Sequence, residues 1–320
     1  MRLLNLFAGA LMMAGAWSGQ AFAADYPERP IKVVVPFAAG GGADVNGRVV
    51  IDEMKSVLGA TMLVENRPGA GATIGAEQVA RAAPDGYTLL FTTGTSHSAA
   101  PALFKKLSFD PIKDFTPVAL VNTGPLMLLV NSSSPVRDLK ELLAWMKANP
   151  AHAFYGYSSS TSRVAGNEIA KRSGIPLTAV PYNGASQVMT DLAGGAVGFT
   201  FVDIAAARPF LEGKRLKAIA VTSLQRTASF PEIPTVAESG FAGFETIAWA
   251  GFFAPAGTPS AIVNKLSASV RVALEKTRVR VHMIAAGEPA YLPPAEMARF
   301  VQAQLVFWTQ KIREAGIEPQ

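Results

Sequence analysis

Short apolar runs alternate with amphipathic stretches along most of the chain. Ile31-Lys32-Val33-Val34-Val35 is rich in β-branched residues and is stopped by Pro36, which predicts a buried strand. The turn Gly40-Gly41-Gly42 then releases into a helical pattern over 44–58. The cycle repeats with strands at 61–65 and 87–92, separated by the breakers Asn66 to Gly71 and a helix over 74–82. A second round opens with a strand at 126–130 and a helix over 136–147, whose Leu139, Leu142, Leu143 and Met146 share one face. Strands follow at 154–157, 178–180, 197–201 and 216–222, interleaved with helices over 163–172, 185–192 and 205–211. Helices over 262–274 and 294–315 dominate the C-terminal part. This alternation predicts α/β layers on mainly parallel sheets, because parallel strands need a crossover, usually a helix, between them. Two rounds without a flexible linker predict two domains that share crossover segments.

The first residues break the rhythm. Arg2 precedes a short apolar run through Met12, Met13 and Ala16, and Ala21-Phe22-Ala23 supplies small residues at an A-x-A site. A basic start, a short apolar stretch and a small-residue site describe a secretory signal peptide over 1–23, cleaved after Ala23. No Cys follows it to carry a lipid anchor, and no later stretch reaches about 18 uncharged apolar residues. A soluble, exported protein is therefore expected.

Composition narrows the chemistry. The chain has 320 residues, no Cys and three His, at 97, 152 and 282. Thiol nucleophiles, disulfides and thiolate metal sites are excluded, and the scattered His form no familiar metal motif. A net charge of +5 without a dense basic run speaks against a nucleic-acid partner. No cofactor and no metal are expected. The Gly-rich turn is not a nucleotide fingerprint, since Val45 stands where a third glycine would be needed. It still suits an anion, because glycines let the backbone approach and the following helix start points amides at negative charge; Asp44 reads equally as a helix cap. Thr92-Thr93-Gly94-Thr95-Ser96-His97 and Ser158-Ser159-Ser160-Thr161-Ser162 place hydroxyls after strands, where ligands of open α/β sheets bind. Gly156-Tyr157-Ser158-Ser159-Ser160 lacks the second Gly of a hydrolase elbow, and no H-E-x-x-H occurs.

Several ordered segments carry a resemblance across nearly the whole chain after residue 23. They include Tyr26-Pro27-Glu28-Arg29-Pro30-Ile31, Val35-Pro36-Phe37-Ala38-Ala39-Gly40-Gly41-Gly42-Ala43-Asp44 and Val64-Glu65-Asn66-Arg67-Pro68-Gly69. Later come Ala83-Pro84-Asp85-Gly86-Tyr87, Val180-Pro181-Tyr182-Asn183-Gly184 and Ala254-Pro255-Ala256-Gly257-Thr258-Pro259. In this order they resemble the Bug proteins, periplasmic solute-binding receptors of tripartite tricarboxylate transporters. The resemblance implies a two-lobed, type II periplasmic binding fold with a cleft between lobes. Lobe 1 would comprise residues 24–124 and 247–320, and lobe 2 residues 125–246. It implies a monomer that is not an enzyme, binds a small carboxylate and delivers it to membrane permease subunits. The rivals are a receptor for a membrane sensor kinase and a secreted enzyme acting on a small acid. Carried over, the first lobe offers Phe37, Gly41, Gly42, Asp44, Thr93, Ser96 and His97, and the second offers Ser160, Thr161, Ser162, Tyr182 and Asp203. Asp203 is expected either to receive a ligand amine or hydroxyl or to cap a helix. Asn183 and Arg163 depart from the commoner Lys and His of the family, and Arg163 is expected to pair with a ligand carboxylate. Trp249 is expected at the cleft edge, between the lobes or in the core.

Overall fold

A computed structural model of the chain describes residues 26–319; the expected signal peptide lies outside them. The elements are β1 (Ile31–Val35), α1 (Gly42–Leu58), β2 (Met62–Asn66), α2 (Thr73–Ala80), β3 (Thr88–Thr93), α3 (Ala100–Leu103) and β4 (Phe115–Asn131). They continue with α4 (Leu139–Ala148), β5 (Phe154–Tyr157), α5 (Ser160–Ser173), β6 (Thr178–Pro181), α6 (Ala185–Ala193), β7 (Phe199–Asp203), α7 (Ile204–Glu212) and β8 (Leu216–Val221). The chain closes with β9 (Ile247–Pro255), α8 (Ser260–Glu275), α9 (Thr277–Ala286), β10 (Glu288–Leu292) and α10 (Pro294–Glu314).

Two sheets share one strand. In the first, β2, β1 and β3 run parallel, and β9 and then β4 continue it antiparallel, with β10 also on β4. In the second, β7, β5 and β6 run parallel, and the later half of β4 borders them antiparallel between β7 and β8. The two-lobed α/β architecture is as expected, with one refinement: the parallel runs are joined through an antiparallel seam, so the pairing is mixed. The physical reason is β4. At 17 residues it is long enough to pair β9 from Phe115 to Pro125 and β7 from Leu126 to Leu129.

Most of β4, from Phe115 to Pro125, and all of β9 are absent from the sequence pattern. In β4 the breakers hide the strand: Pro117, Gly124 and Pro125 argue against it, yet the ladder shifts register between Pro117 and Ala119, and proline is tolerated at such bulges. The strand β10 and the helix α9 are likewise additions that the structure makes to the expected elements.

Each sheet carries its own core. Val33, Val35, Phe91 and Phe252 of the first pack against Ile51 and Met54 of α1 and Leu266 and Val270 of α8. Leu126, Leu128, Tyr155, Phe199 and Phe201 of the second pack against Leu139, Leu142 and Met146 of α4, the face read from the periodicity. Burial of side chains of this size contributes about 1.5–3 kcal/mol each.

The second core is tight where α5 crosses β5. A Cβ on Gly166 would lie 2.2 Å from Cε2 of the fully buried Tyr155 ring. Gly166→Ala is expected to destabilise the protein by about 1–3 kcal/mol through overpacking, against the gain of up to ~1 kcal/mol that alanine brings to a free helix. Urea unfolding checks this: a midpoint at or above that of the parent protein would show that the ring gives way without cost.

Candidate functional site

The C-terminal ends of β1, β3, β5, β6 and β7 converge where the two sheets face each other. An inner chamber of about 50 Å³ is walled by Phe37, Gly41 and Gly42 from the β1–α1 turn, Thr93 and Thr95 after β3, and Thr161 and Asp203 opposite. An outer chamber of about 340 Å³ adjoins it, sharing Phe37, Thr95, Ser158, Ser159 and Asn183. Its further walls are aromatic and basic: Phe104, Tyr157, Tyr182 and Arg163. Of the residues expected at the site, Phe37, Gly41, Gly42, Thr93, Ser160, Thr161, Arg163, Tyr182 and Asp203 line one chamber or the other.

The turn is held open by a residue that does not line it. Asp44 is buried, and its carboxylate accepts from Gly40 N at 2.9 Å, Arg48 Nε at 2.9 Å and Asn66 Nδ2 at 2.8 Å. Burial pushes its pKa up, but the Arg48, Asn66 and Gly40 donors outweigh burial and hold it below the ordinary carboxylate range. Gly40, at φ +77°, needs the left-handed region that glycine adopts freely. The N-cap of α1 is Gly41, without a side-chain cap, so the first-turn amides of α1 stay available to a ligand. By contrast α5 is self-capped: Ser159 Oγ accepts from Ser162 N at 3.1 Å. Ser162 itself is buried and lines neither chamber.

Ser96 and His97 also fall away from the chambers. They sit in a π-helical turn, Thr95–Ala99, that rotates Thr95 toward the cleft and its neighbours into the core. Thr92 Oγ1 and Ser96 Oγ lie 2.7 Å apart, and Ser96 Oγ lies 3.0 Å from His97 Nδ1. The imidazole packs 4.0 Å from the Phe253 ring and 4.6 Å from Phe115. Burial without a compensating charge lowers its pKa from 6.5 to about 3, so it is neutral at physiological pH. Hydroxyl-rich sequence located this turn, but a helical irregularity decided which hydroxyl points outward.

Asp203 faces the inner chamber. It occupies the N-cap of α7, yet its side chain makes no cap hydrogen bond. The carboxyl instead abuts the start of α1 across the cleft: a Cβ on Gly42 would lie 2.7 Å from both Asp203 Cβ and Oδ2. Burial raises its pKa. Arg163, half-buried in the first turn of α5, stands with its guanidinium 5.7 Å from the Tyr157 ring centroid. Trp249 is buried in the core beside Phe253 and Phe300, and borders a small cavity of about 20 Å³ that also touches Asp203.

Residues that were not expected at the site include Thr95, Ser158, Ser159 and Asn183, and the turn Ala70–Ala72. The first three belong to the hydroxyl-rich turns already noted. Ala70–Ala72 has no polar side chain and only the folded chain reveals it. Among the described residues no group of three or more His, Cys, Asp or Glu could hold a metal, and no helix is long and apolar enough to cross a membrane.

Two α/β lobes that meet over a polar cleft at their strand ends define a solute-binding protein of the two-lobed periplasmic type. Residues 47–317 match the tripartite tricarboxylate transporter family receptor model, and the chain belongs to that family of receptors. A relative from Bordetella pertussis is 34% identical over 97% of this chain and 96% of its own length. The solved periplasmic binding protein BugD is 36% identical, with a TM-score of 0.87 over 92% of this chain and all of that one. Rpa4515 of R. palustris, solved with adipate, is 33% identical, with a TM-score of 0.89 over 92% of this chain and all of that one.

Two outcomes follow from this geometry. His97 has a folded pKa below its unfolded value, so its contribution to stability is complete above about pH 6.5 and is lost as pH falls toward about 3. Stability should fall in that window by up to about 1.4 kcal/mol per pH unit more than in His97→Gln; parallel slopes for the two proteins in urea titrations at successive pH values would contradict it. Gly42→Ala should push Asp203 aside and part the lobes, enlarging the radius of gyration in small-angle scattering without loss of helix content. An unchanged radius would mean that the contact closes nothing.

Proposed function

We propose that this protein is a periplasmic receptor that captures a small organic carboxylate between its lobes and hands it to the membrane permease of a tripartite tricarboxylate transporter. In this reading residues 1–23 direct export, residues 24–124 with 247–320 form one lobe, and residues 125–246 form the other. The observation that carries it is the composition of the two chambers. Uncapped first-turn amides of α1, the hydroxyls of Thr93, Thr95 and Thr161, and one guanidinium from Arg163 surround a space sized for a small molecule. Amides at a helix start favour an anion, and hydrogen bonds to a charged acceptor are stronger than neutral ones. Membership of the receptor family and the adipate held by Rpa4515 support the same class of ligand.

Binding to the folded state alone raises stability by mass action, by about 2.7 kcal/mol at a ligand concentration one hundred times Kd. A thermal-shift screen of mono-, di- and tricarboxylates should therefore find compounds that raise the melting temperature, with calorimetry giving one site per chain. A complete carboxylate panel without a shift would overturn the ligand class.

A further inference from the structure

We propose that the receptor binds its carboxylate together with one proton, held between the ligand's carboxyl group and the carboxyl of Asp203 at the start of α1. This rests on the reading of the cleft as a carboxylate site and adds a second, smaller ligand to it.

The ligand's carboxylate and Asp203 are drawn to the same place. The inner chamber presents Gly42 and Ala43, the first residues of α1, a helix start that no side chain caps. Amides at such a start attract negative charge. Thr95 lines the chamber too, 1% exposed and with a hydroxyl that has no protein partner, which adds a donor for an anion seated there. Opposite stands Asp203, whose carboxyl comes so near Gly42 that a Cβ there would lie 2.7 Å from Oδ2. The chamber measures only about 50 Å³, so no position on the α1 start is remote from Asp203. A carboxylate seated on those amides therefore meets Asp203 at close range.

The surroundings do not offset two negative charges. Among the described residues no Lys, Arg or His lines the inner chamber or the small cavity behind Asp203. The neighbouring strands and the β6–α6 loop present Thr93, Leu126, Ala248 and Asn183, none of which titrates. On α1 the charged groups are Asp44 and Arg48, paired with each other, and α5 brings Arg163 to the outer chamber. On α7 the Arg208 guanidinium donates to the Ala285 carbonyl, and on α9 His282 is paired with Asn46. Asp203 itself makes no side-chain cap on α7, its own backbone amide is the one hydrogen bond that acts on it, and burial raises its pKa. Two carboxyls that share such a site cannot both stay ionised, and they titrate as a pair. One proton from solvent resolves the conflict: an O–H bond forms on one carboxyl and donates to the other, while the α1 amides hold the single charge that remains. Because the proton is taken up on binding, affinity rises as pH falls.

Calorimetry on the mature protein tests this in two buffers of different ionisation enthalpy, between about pH 6.5 and 9, where free carboxyls are ionised. Succinate, glutarate, adipate and benzoate serve as probes, with any further carboxylate that raises the melting temperature. A probe that binds should bring about half a proton or more with it at some pH in this range, and its Kd should rise at least tenfold from the acid end to the alkaline end. Asp203→Asn puts a neutral donor where the protonated acid would stand. It should bind the same probe without proton uptake and with a Kd that is flat across the range, at least tenfold tighter than the parent at the alkaline end. Circular dichroism and melting confirm folding, and Asp203→Ser serves as a second substitution if Asp203→Asn does not fold. Proton-free, pH-independent binding by the parent would overturn the shared proton and leave the carboxylate receptor standing. So would uptake that persists in the variant, which would belong to His282 or another group. Failure of every carboxylate would overturn both.

Discussion

The long strand β4 is the constraint on which the site depends. It contributes to both sheets without a break, pairing β9 up to Pro125 and β7 from Leu126. Because β9 runs antiparallel beside it across the same point, from Gly124 opposite Ala248 to Pro125 opposite Ile247, the lobes are joined by two hydrogen-bonded strands. A ladder resists sliding, since a one-residue slip would turn every side chain to the wrong face. The strand ends of the two sheets are thereby fixed opposite each other. All the amides and hydroxyls of the cleft inherit their position from that register.

A binding cleft must keep polar groups available without letting the fold satisfy them. Unpaired buried donors are costly, so a glycine turn left to itself would collapse onto its own carbonyls. Asp44 prevents this from behind, tying Gly40 to Arg48 and to Asn66, which in turn donates to the Phe37 carbonyl at 3.0 Å. The Asp44 charge is placed outside the chamber and the α1 amides inside it. This arrangement explains why an acidic residue in the Gly-rich turn is compatible with anion binding. The brace absorbs the carboxylate, and the α1 start presents only its positive end.

Much of the fold was legible because most buried strands are β-branched or aromatic runs and most helices show one apolar face. The exceptions are β9, with Gly251 and alanines among its aromatics, and α9, where Arg278 and Arg280 alternate with valines. What was hidden lay in residues whose meaning depends on partners. Pro117, Gly124 and Pro125 read as breakers and are tolerated because β4 bulges and changes partner around them. Within the candidate site, Gly42 and Thr161 were legible as turn residues at strand ends, and Phe37 only through the family resemblance. Ser96 and His97 were not separable from Thr95 by sequence, since an ordinary helical turn and a π-turn aim consecutive side chains differently. The aromatic cage of Phe109, Phe115 and Phe253 around His97 comes from two segments, 109–115 and the strand β9. No local pattern announces it.

The second lobe's contribution to the cleft depends on a helix of the first. Met297 and Val301, in the early part of α10, pack with Leu90, Phe253 and Trp249 on the first sheet. Trp308 and Ile312, further along the same helix, pack with Leu103 and with Val164 of α5. The half-buried pair Lys311 and Glu168, at 2.9 Å, adds a charged contact between the same two helices. Since Ser160, Thr161 and Arg163 all lie in the first turn of α5, the helix that carries them is held from outside the cleft by α10. Any bending at the β4–β9 crossing would therefore have to disrupt the apolar cluster that holds Val164 and Trp308 or carry the end of α10 along with α5. Apolar contacts packed at interior density are bistable and do not stretch continuously. The α5–α10 contact thus couples the placement of Arg163 to the angle between the lobes.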